Sequence, residues 1–252
     1  MAQRFSGKVI IITGASRPEG IGAAAAQRFA DEGASVAITA RGAAGLEALA
    51  ARIRDRGGKA RAFPADLSNP AACEAMLRSV DEAFGGLDVL VNNAGANARG
   101  NVETQDPTAL ANIIQVNLVA PIILTRLAIP RLRARGGGSI VQVASIAGQI
   151  PLDGEATYSA SKHGLRAFSF ALREELAGSP IHVAVVSPGP VETDMTAALG
   201  DKRIAELTAA VPLGRMASPD EIAGVVAFLA GPDAGYITGA VIPVDGGLGM
   251  GH

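Results

Sequence analysis

Residues Val9-Ile10-Ile11-Ile12-Thr13-Gly14-Ala15-Ser16-Arg17-Pro18-Glu19-Gly20-Ile21-Gly22 decide the fold. A continuous apolar run is the pattern of a central parallel strand, buried on both faces and therefore free of polar alternation. The glycines after it allow a tight turn and close approach of the backbone to a pyrophosphate. The charge of that group would face the N-terminus of the helix predicted from about Gly20 to Glu32. Taken alone, such a turn serves packing equally well; its place directly after the first strand favours a dinucleotide.

The alternation continues outward from this unit. Ser35 to Thr39 reads as a second strand, Ala43 to Arg56 as a helix, Lys59 to Ala65 as a third strand, Asn69 to Phe84 as a helix and Leu87 to Val91 as a fourth strand. A long helix is predicted over Pro107 to Arg135, bending at Pro121 and Pro130. Then come a strand at Ser139 to Ala144, a helix at Glu155 to Ala177 and a strand at Ile181 to Val186. A helix at Pro219 to Leu229, with Ser218 as N-cap, and a last strand at Ala240 to Val244 complete the series. Strand-helix alternation of this kind predicts an α/β fold: a Rossmann-like, doubly wound parallel sheet of about seven strands with helices on both faces. No linker or shift of composition divides residues 1–252, which read as one domain. In such sheets ligands sit at the carboxyl ends of the strands, where the winding reverses.

Composition narrows the classes. The 252 residues are 48% hydrophobic, enough for a sizeable core. A formal net charge of -2 gives no electrostatic reason to expect nucleic acid or an anionic membrane as a partner. The single cysteine, Cys73, excludes an intramolecular disulfide, and His163, His182 and His252 show no zinc-site spacing with it. No uninterrupted apolar run reaches the roughly 18 to 20 residues of a membrane span. The chain runs into its first strand near Lys8 without a signal-peptide pattern, so a cytoplasmic location is the default.

The end of the second strand bears on the choice of dinucleotide. An NAD site usually places Asp or Glu there for the ribose 2'-hydroxyl. This chain reads Ile38-Thr39-Ala40-Arg41, with no acid. A guanidinium suits a 2'-phosphate through paired, charge-assisted hydrogen bonds. Arg41, joined by Arg17 of the glycine loop, therefore favours NADP(H) over NAD(H), unless both are simply solvated surface arginines.

From end to end the chain resembles the short-chain dehydrogenase/reductase family. The resemblance rests on the glycine loop, Asp66-Leu67, Asn92-Asn93-Ala94-Gly95, Asn117, Ser145, Tyr158-Ser159-Ala160-Ser161-Lys162, Pro188-Gly189-Pro190-Val191-Glu192-Thr193, Tyr236-Ile237-Thr238-Gly239 and Val244-Asp245-Gly246-Gly247. The residues support it chemically. Tyr158 and Lys162 stand four apart on a predicted helix and share a face. A phenol titrates near pH ~10 in water, and a neighbouring cation favours the phenolate and should lower that value. Tyr158 then suits a general acid/base for a carbonyl oxygen, and Ser145 a hydrogen-bond donor to the same oxygen. A tyrosine and a lysine at this spacing also commonly just pack and snorkel.

The resemblance implies an NADP(H)-dependent interconversion of a ketone and a secondary alcohol by hydride transfer. It implies that Lys162 also holds the nicotinamide ribose and that Asn117 anchors a water of a proton relay. Gly14, Ser16, Arg17, Gly20, Ile21 and Gly22 would cradle the diphosphate. Asp66 and Leu67 would flank the adenine, and Asn93, Ala94 and Gly95 would line the ribose and diphosphate, although such asparagines also cap turns. Pro188, Gly189, Val191 and Thr193 would fix the nicotinamide, and residues 194–214 would form a lid. A homotetramer or homodimer built on the long helix and the Glu155 to Ala177 helix is implied as well.

Two departures matter. Five residues separate Gly14 from Gly20 where the family pattern has three, because Pro18 and Glu19 are additional. That spacing is similar to the enoyl-carrier-protein reductase branch, whose tyrosine precedes its lysine by seven; here that position holds Glu155. The substrate pocket is expected along Ala96 to Arg99, Ile146 to Leu152 and Glu155, with Arg99 either meeting an anion or solvated. Pro212-Leu213-Gly214-Arg215 is similar to 3-oxoacyl-carrier-protein reductases. The competing readings are a catalytically silent nucleotide sensor or scaffold, and an NAD-dependent alcohol or sugar dehydrogenase.

Overall fold

Every residue of β1 (Val9–Thr13) is buried, with Ile10, Ile11 and Ile12 wholly inaccessible. Each such side chain contributes about 1.5–3 kcal/mol relative to exposure, which places this strand at the centre of the sheet. Around it β2 (Ser35–Thr39), β3 (Lys59–Ala62), β4 (Val89–Asn92), β5 (Gly138–Val143), β6 (Ile181–Pro188) and β7 (Ala240–Val244) pair in parallel, in the order β3-β2-β1-β4-β5-β6-β7. This computed structural model describes residues 3–150 and 152–249; Pro151 and His252, both considered above, lie outside them. The sheet is the Rossmann-like, doubly wound arrangement the sequence predicts.

α1 (Ile21–Asp31), α2 (Ala43–Asp55) and α9 (Pro219–Ala230) cover one face, where Phe29, Leu46, Ile53 and Val226 join a core with Ile10 and Ile12. α3 (Pro70–Phe84), α5 (Ala120–Ala134) and α6 (Ala156–Glu175) cover the other, where Leu77, Leu124 and Leu172 meet Ile11 and Leu90. Caps fix several helix starts: Asn69 accepts hydrogen bonds from Ala71 and Ala72, and Ser218 and Glu221 form a reciprocal capping box. The winding reverses between β1 and β4, so the loops after these two strands flank the crevice where such sheets bind ligands.

The predicted long helix is not continuous. α4 (Pro107–Ile114) passes through one π-helical turn, Gln115–Val119, before α5 begins. The irregularity falls just ahead of Pro121 and not at Pro130, which stays inside α5. Pro130 is exposed, so the carbonyl that loses its donor there, that of exposed Arg126, can turn to water. By length and composition the stretch Pro107–Ala134 would pass for a membrane span, but Leu124, Ala128 and Leu132 on it belong to the core against the sheet. After β6 come two short helices, α7 (Asp194–Ala197) and α8 (Asp201–Ala210), in the segment read as a lid.

Candidate active site

Each predicted site residue follows the carboxyl end of a strand or lies on a helix facing that end. The β1–α1 turn holds Gly14, Ser16, Arg17 and Gly20, with Ile21 and Gly22 opening α1. Gly14 has φ +71°, and a Cβ there would fall 2.7 Å from Ala94 Cα, so the turn packs against the loop after β4. Gly20 is the N-cap of α1 and supplies no side-chain cap to the first-turn donors. Donors left uncapped at a helix N-terminus suit a phosphate, so this loop fits a dinucleotide despite its two extra residues.

A residue the sequence reading passed over joins the two halves of the crevice. Thr13 Oγ1 accepts hydrogen bonds from the amides of Asn93 and Ala94 at 2.9 and 2.8 Å. Asn93 Nδ2 donates to the Thr13 carbonyl at 2.8 Å, so its side chain ties β1 to β4. It is a tie between neighbouring strands and not the turn cap that such asparagines also make. The pairing Thr13-Gly14 with Asn93-Ala94 was the available signal.

The two candidate phosphate arginines part company. Arg17 stands 3.5 Å from Asp194 of α7. Arg41 is exposed and has no ion-pair partner within contact distance among the described residues, although its charge favours ionised Asp66. The main depression of the Asp66 pKa comes from hydrogen bonds donated by the Ser68 hydroxyl and amide. Leu67 beside it is buried. Pro188 ends β6, Gly189 approaches Asp245 so closely that a Cβ would sit 2.7 Å from its Cα, Val191 bridges to Ala217, and Thr193 is the N-cap of α7.

Asn117 lies in the π turn and is wholly buried. Its side chain accepts from the Ala96 amide at 2.7 Å and donates to the Ala96 carbonyl at 2.9 Å and to Ser161 Oγ at 3.1 Å. It thus fixes the loop after β4 against α6. Pro121 has no N–H for the carbonyl four residues back, which belongs to Asn117, so that carbonyl lacks its usual helical donor.

Ser145 follows β5 and accepts a hydrogen bond from the Ala147 amide at 3.1 Å. Tyr158 and Lys162 share one face of α6, with the lysine Nζ 5.6 Å from the centre of the phenol ring. Lys162 is buried, donates to the Val143 carbonyl at 3.0 Å and lies beside Gly95. Burial alone brings its pKa down to about 8.

The expectation that Lys162 lowers the Tyr158 pKa is not met in this structure. Burial pushes the phenol up to about 12; a hydrogen bond with Ser145 and the charge of Arg99 act against that shift, and the charge of Glu155 adds to it. The cation lies over the ring rather than beside the hydroxyl, and desolvation wins.

Arg99 meets an anion of the chain itself. Its guanidinium pairs with the carboxylate of Glu155, which is 4% exposed at the head of α6.

A doubly wound parallel sheet with a glycine turn at its switch point, and with serine, tyrosine and lysine gathered beside it, has the architecture of a nucleotide-dependent oxidoreductase. More narrowly, the chain belongs to the short-chain dehydrogenase/reductase family, whose members act on CH–OH groups with NAD(P). A family model described as enoyl-(acyl carrier protein) reductase matches residues 14–249. The 3-oxoacyl-[acyl-carrier-protein] reductase FabG of Vibrio cholerae serotype O1 is 38% identical over 98% of this chain and 99% of its own length. The 2,5-dichloro-2,5-cyclohexadiene-1,4-diol dehydrogenase LinX of Sphingobium indicum is 36% identical over the whole of both chains. A solved structure of an actinorhodin polyketide ketoreductase variant with NADPH superimposes with a TM-score of 0.92 at 36% identity, covering 99% of this chain and 100% of that one.

Proposed function

We propose that this protein is an NADP(H)-dependent carbonyl reductase, interconverting a ketone and a secondary alcohol with Tyr158 as general acid/base. The observation that carries the reading is the meeting of Ser145, Tyr158 and Lys162 at the mouth of the crevice, locked by the Asn117 bonds to Ala96 and Ser161. The bound cofactor would supply the hydride to the carbonyl carbon. Tyr158 gives its phenolic proton to the carbonyl oxygen, and Ser145 donates a hydrogen bond to that oxygen as charge develops. Lys162, beside Gly95, would hold the ribose hydroxyls and feed the proton back, with the Asn117 carbonyl as the anchor of a water. Arg41 is the residue we assign to the 2'-phosphate. Gly14, Ser16, Gly20, Ile21 and Gly22 would line the diphosphate, Asp66 and Leu67 the adenine, and Pro188, Gly189, Val191 and Thr193 the nicotinamide. Residues 194–214 would close over the substrate, within a single domain.

Activity on 3-oxoacyl thioesters is the first substrate class to test, supported by the reductase and ketoreductase relatives. LinX, named a diol dehydrogenase, keeps an alcohol-oxidising reading in view. Cytoplasmic location and self-association through α5 and α6 belong to the same proposal, the latter supported by the exposed Phe170 on α6. The test is nicotinamide absorbance with NADPH or NADH and a panel of ketones, run beside Tyr158→Phe. Turnover with NADPH that disappears in the variant, while cofactor still binds, is the expected result. Equal turnover in the variant overturns the mechanism, and cofactor binding without turnover on any ketone favours a nucleotide sensor.

A further inference from the structure

Glu155 occupies the N-cap of α6, where a carboxylate would ordinarily bond the first-turn amides, yet it makes no such cap. The group is instead held by Arg99 from the loop after β4 and is almost completely buried. The two loops are clamped beside the pair. The Gly100 amide donates across to the Gly154 carbonyl at 3.0 Å, and within the loop after β4 Gln105 Nε2 braces the carbonyls of Ala98 and Gly100 at 2.8 and 3.0 Å. Glu155 and Tyr158 are three apart across the first turn of the helix, the spacing at which side chains are neighbours. A buried carboxylate beside a phenol opposes loss of the phenol's proton, and a guanidinium bound to that carboxylate offsets the effect.

We propose that Arg99 and Glu155 are a positioning pair for Tyr158, a buried carboxylate capped by a solvent-facing guanidinium, whose opposite charges beside the phenol set how readily it exchanges its proton. By charge alone the two residues act on the phenol with opposite sign, Glu155 against ionisation and Arg99 for it. The other groups facing Tyr158 are Ser145 and Lys162. Among the described residues, the elements packed most extensively on α6 add no charge there. α4, the π turn and the 3-10 turn Ile146–Gly148 carry no charged residue, and the one titratable group of β6, His182, lies at the strand's opposite end. Neither Arg99 nor Glu155 need touch substrate for this role, which rests on the reading of Tyr158 as the acid/base.

The chain contains two tyrosines and no tryptophan, so in a Tyr236→Phe background the ultraviolet absorbance of tyrosinate reports Tyr158 alone. In that background Glu155→Gln is expected to move the onset of ionisation down by roughly 0.5–1 pH unit, and Arg99→Met to move it up by a similar amount. Arg99→Lys, which keeps the charge, returns it toward the native position, and the double variant Arg99→Met with Glu155→Gln lies between the two single variants. The pH profile of alcohol oxidation shifts in the same directions. Unchanged titrations, or shifts of the same sign in Glu155→Gln and Arg99→Met, overturn the pairing. Failure of the native protein to turn over any carbonyl would count against the proposed function alone, since the tyrosinate titration needs no substrate.

Discussion

Replacing Gly20 and Gly22 separately by alanine distinguishes a glycine kept for a ligand from one kept for packing. Gly22 is the second residue of α1, and a Cβ there would lie 2.6 Å from Asn93 Nδ2 and 2.7 Å from the Gly14 carbonyl oxygen. Asn93 cannot swing aside without losing its 2.8 Å bond to Thr13. Overpacking of this kind costs about 1–3 kcal/mol. In a chain of this length a kcal/mol corresponds to about 2–4 °C, so Gly22→Ala is expected to melt several degrees below the native protein.

Gly20 differs on every count. Its backbone, φ -90° and ψ 157°, is one any residue adopts, and the nearest atom to an added Cβ is the Arg17 carbonyl at 3.3 Å. Alanine is a poorer N-cap than glycine by roughly 0.5–1 kcal/mol. The stiffer unfolded chain returns about 0.4–1 kcal/mol, leaving stability nearly unchanged. The methyl group would nevertheless stand where the α1 N-terminus meets the cofactor's phosphates. Loss of one or two charge-assisted bonds there predicts about a 10–100-fold weaker affinity for NADPH, read by quenching or enhancement of its fluorescence. Thermal melts without ligand and NADPH titrations of both variants form the assay. A Gly20→Ala protein that binds NADPH like the native one refutes the phosphate assignment. One that melts as low as Gly22→Ala refutes the packing argument.

Arg41→Ala should weaken NADPH by about 10–100-fold and leave NADH nearly untouched, because only the former offers a 2'-phosphate to the guanidinium. Equal losses for both cofactors, measured by titration, would place Arg41 outside that contact. Lys162, with its pKa brought down to about 8, is costly to bury while charged. Between about pH 8 and the ordinary lysine value this residue binds more protons in the unfolded chain than in the native one, so its contribution to stability rises with pH over that window. Above pH ~10 the raised Tyr158 pKa reverses the sign, since the native phenol keeps a proton the unfolded one loses. Burial also pushes the Cys73 thiol up to about 11, which costs stability over the same window in any variant that keeps Cys73. Between pH 8 and pH 10 the native protein should therefore fare about 2 kcal/mol better than Lys162→Met in the change of stability measured by chemical denaturation; an identical change in the two proteins would remove Lys162 as the source.

Most of the fold is legible in the sequence because the signals are local. The buried run at Val9, the cap at Ser218, and the strands Ser35–Thr39 and Ala240–Val244 each depend on a few neighbouring residues, and the structure has them where the sequence pattern places them. Two signals mean less locally than the structure makes of them. Pro121 and Pro130 look alike in sequence, yet only the first adjoins the irregular turn, since a proline on a solvated face leaves its orphaned carbonyl to water. The Tyr158 and Lys162 spacing suggested a cation at the hydroxyl, but helix geometry brings the lysine over the ring and burial then dominates.

What stayed hidden in the site are partners distant along the chain. Residue type gives Arg99 a charge and Glu155 a place ahead of the helix, but their pairing needs two loops to meet, and the loops meet because β4 and β5 are neighbours in the sheet. Thr13 is the same case: a threonine at a strand end is unremarkable until β4 lies beside β1 and its hydroxyl receives two amides. Asn117 shows the limit most clearly. Its role in a helix reads as a cap or a relay, whereas three side-chain hydrogen bonds to Ala96 and Ser161 make it the joint between the loop after β4 and the helix bearing Tyr158. The π turn that orients it is a property of the backbone, set in part by a proline four residues on. Chemistry here is assembled by topology, and motif residues become a site only when the strand order brings their loops to one crevice.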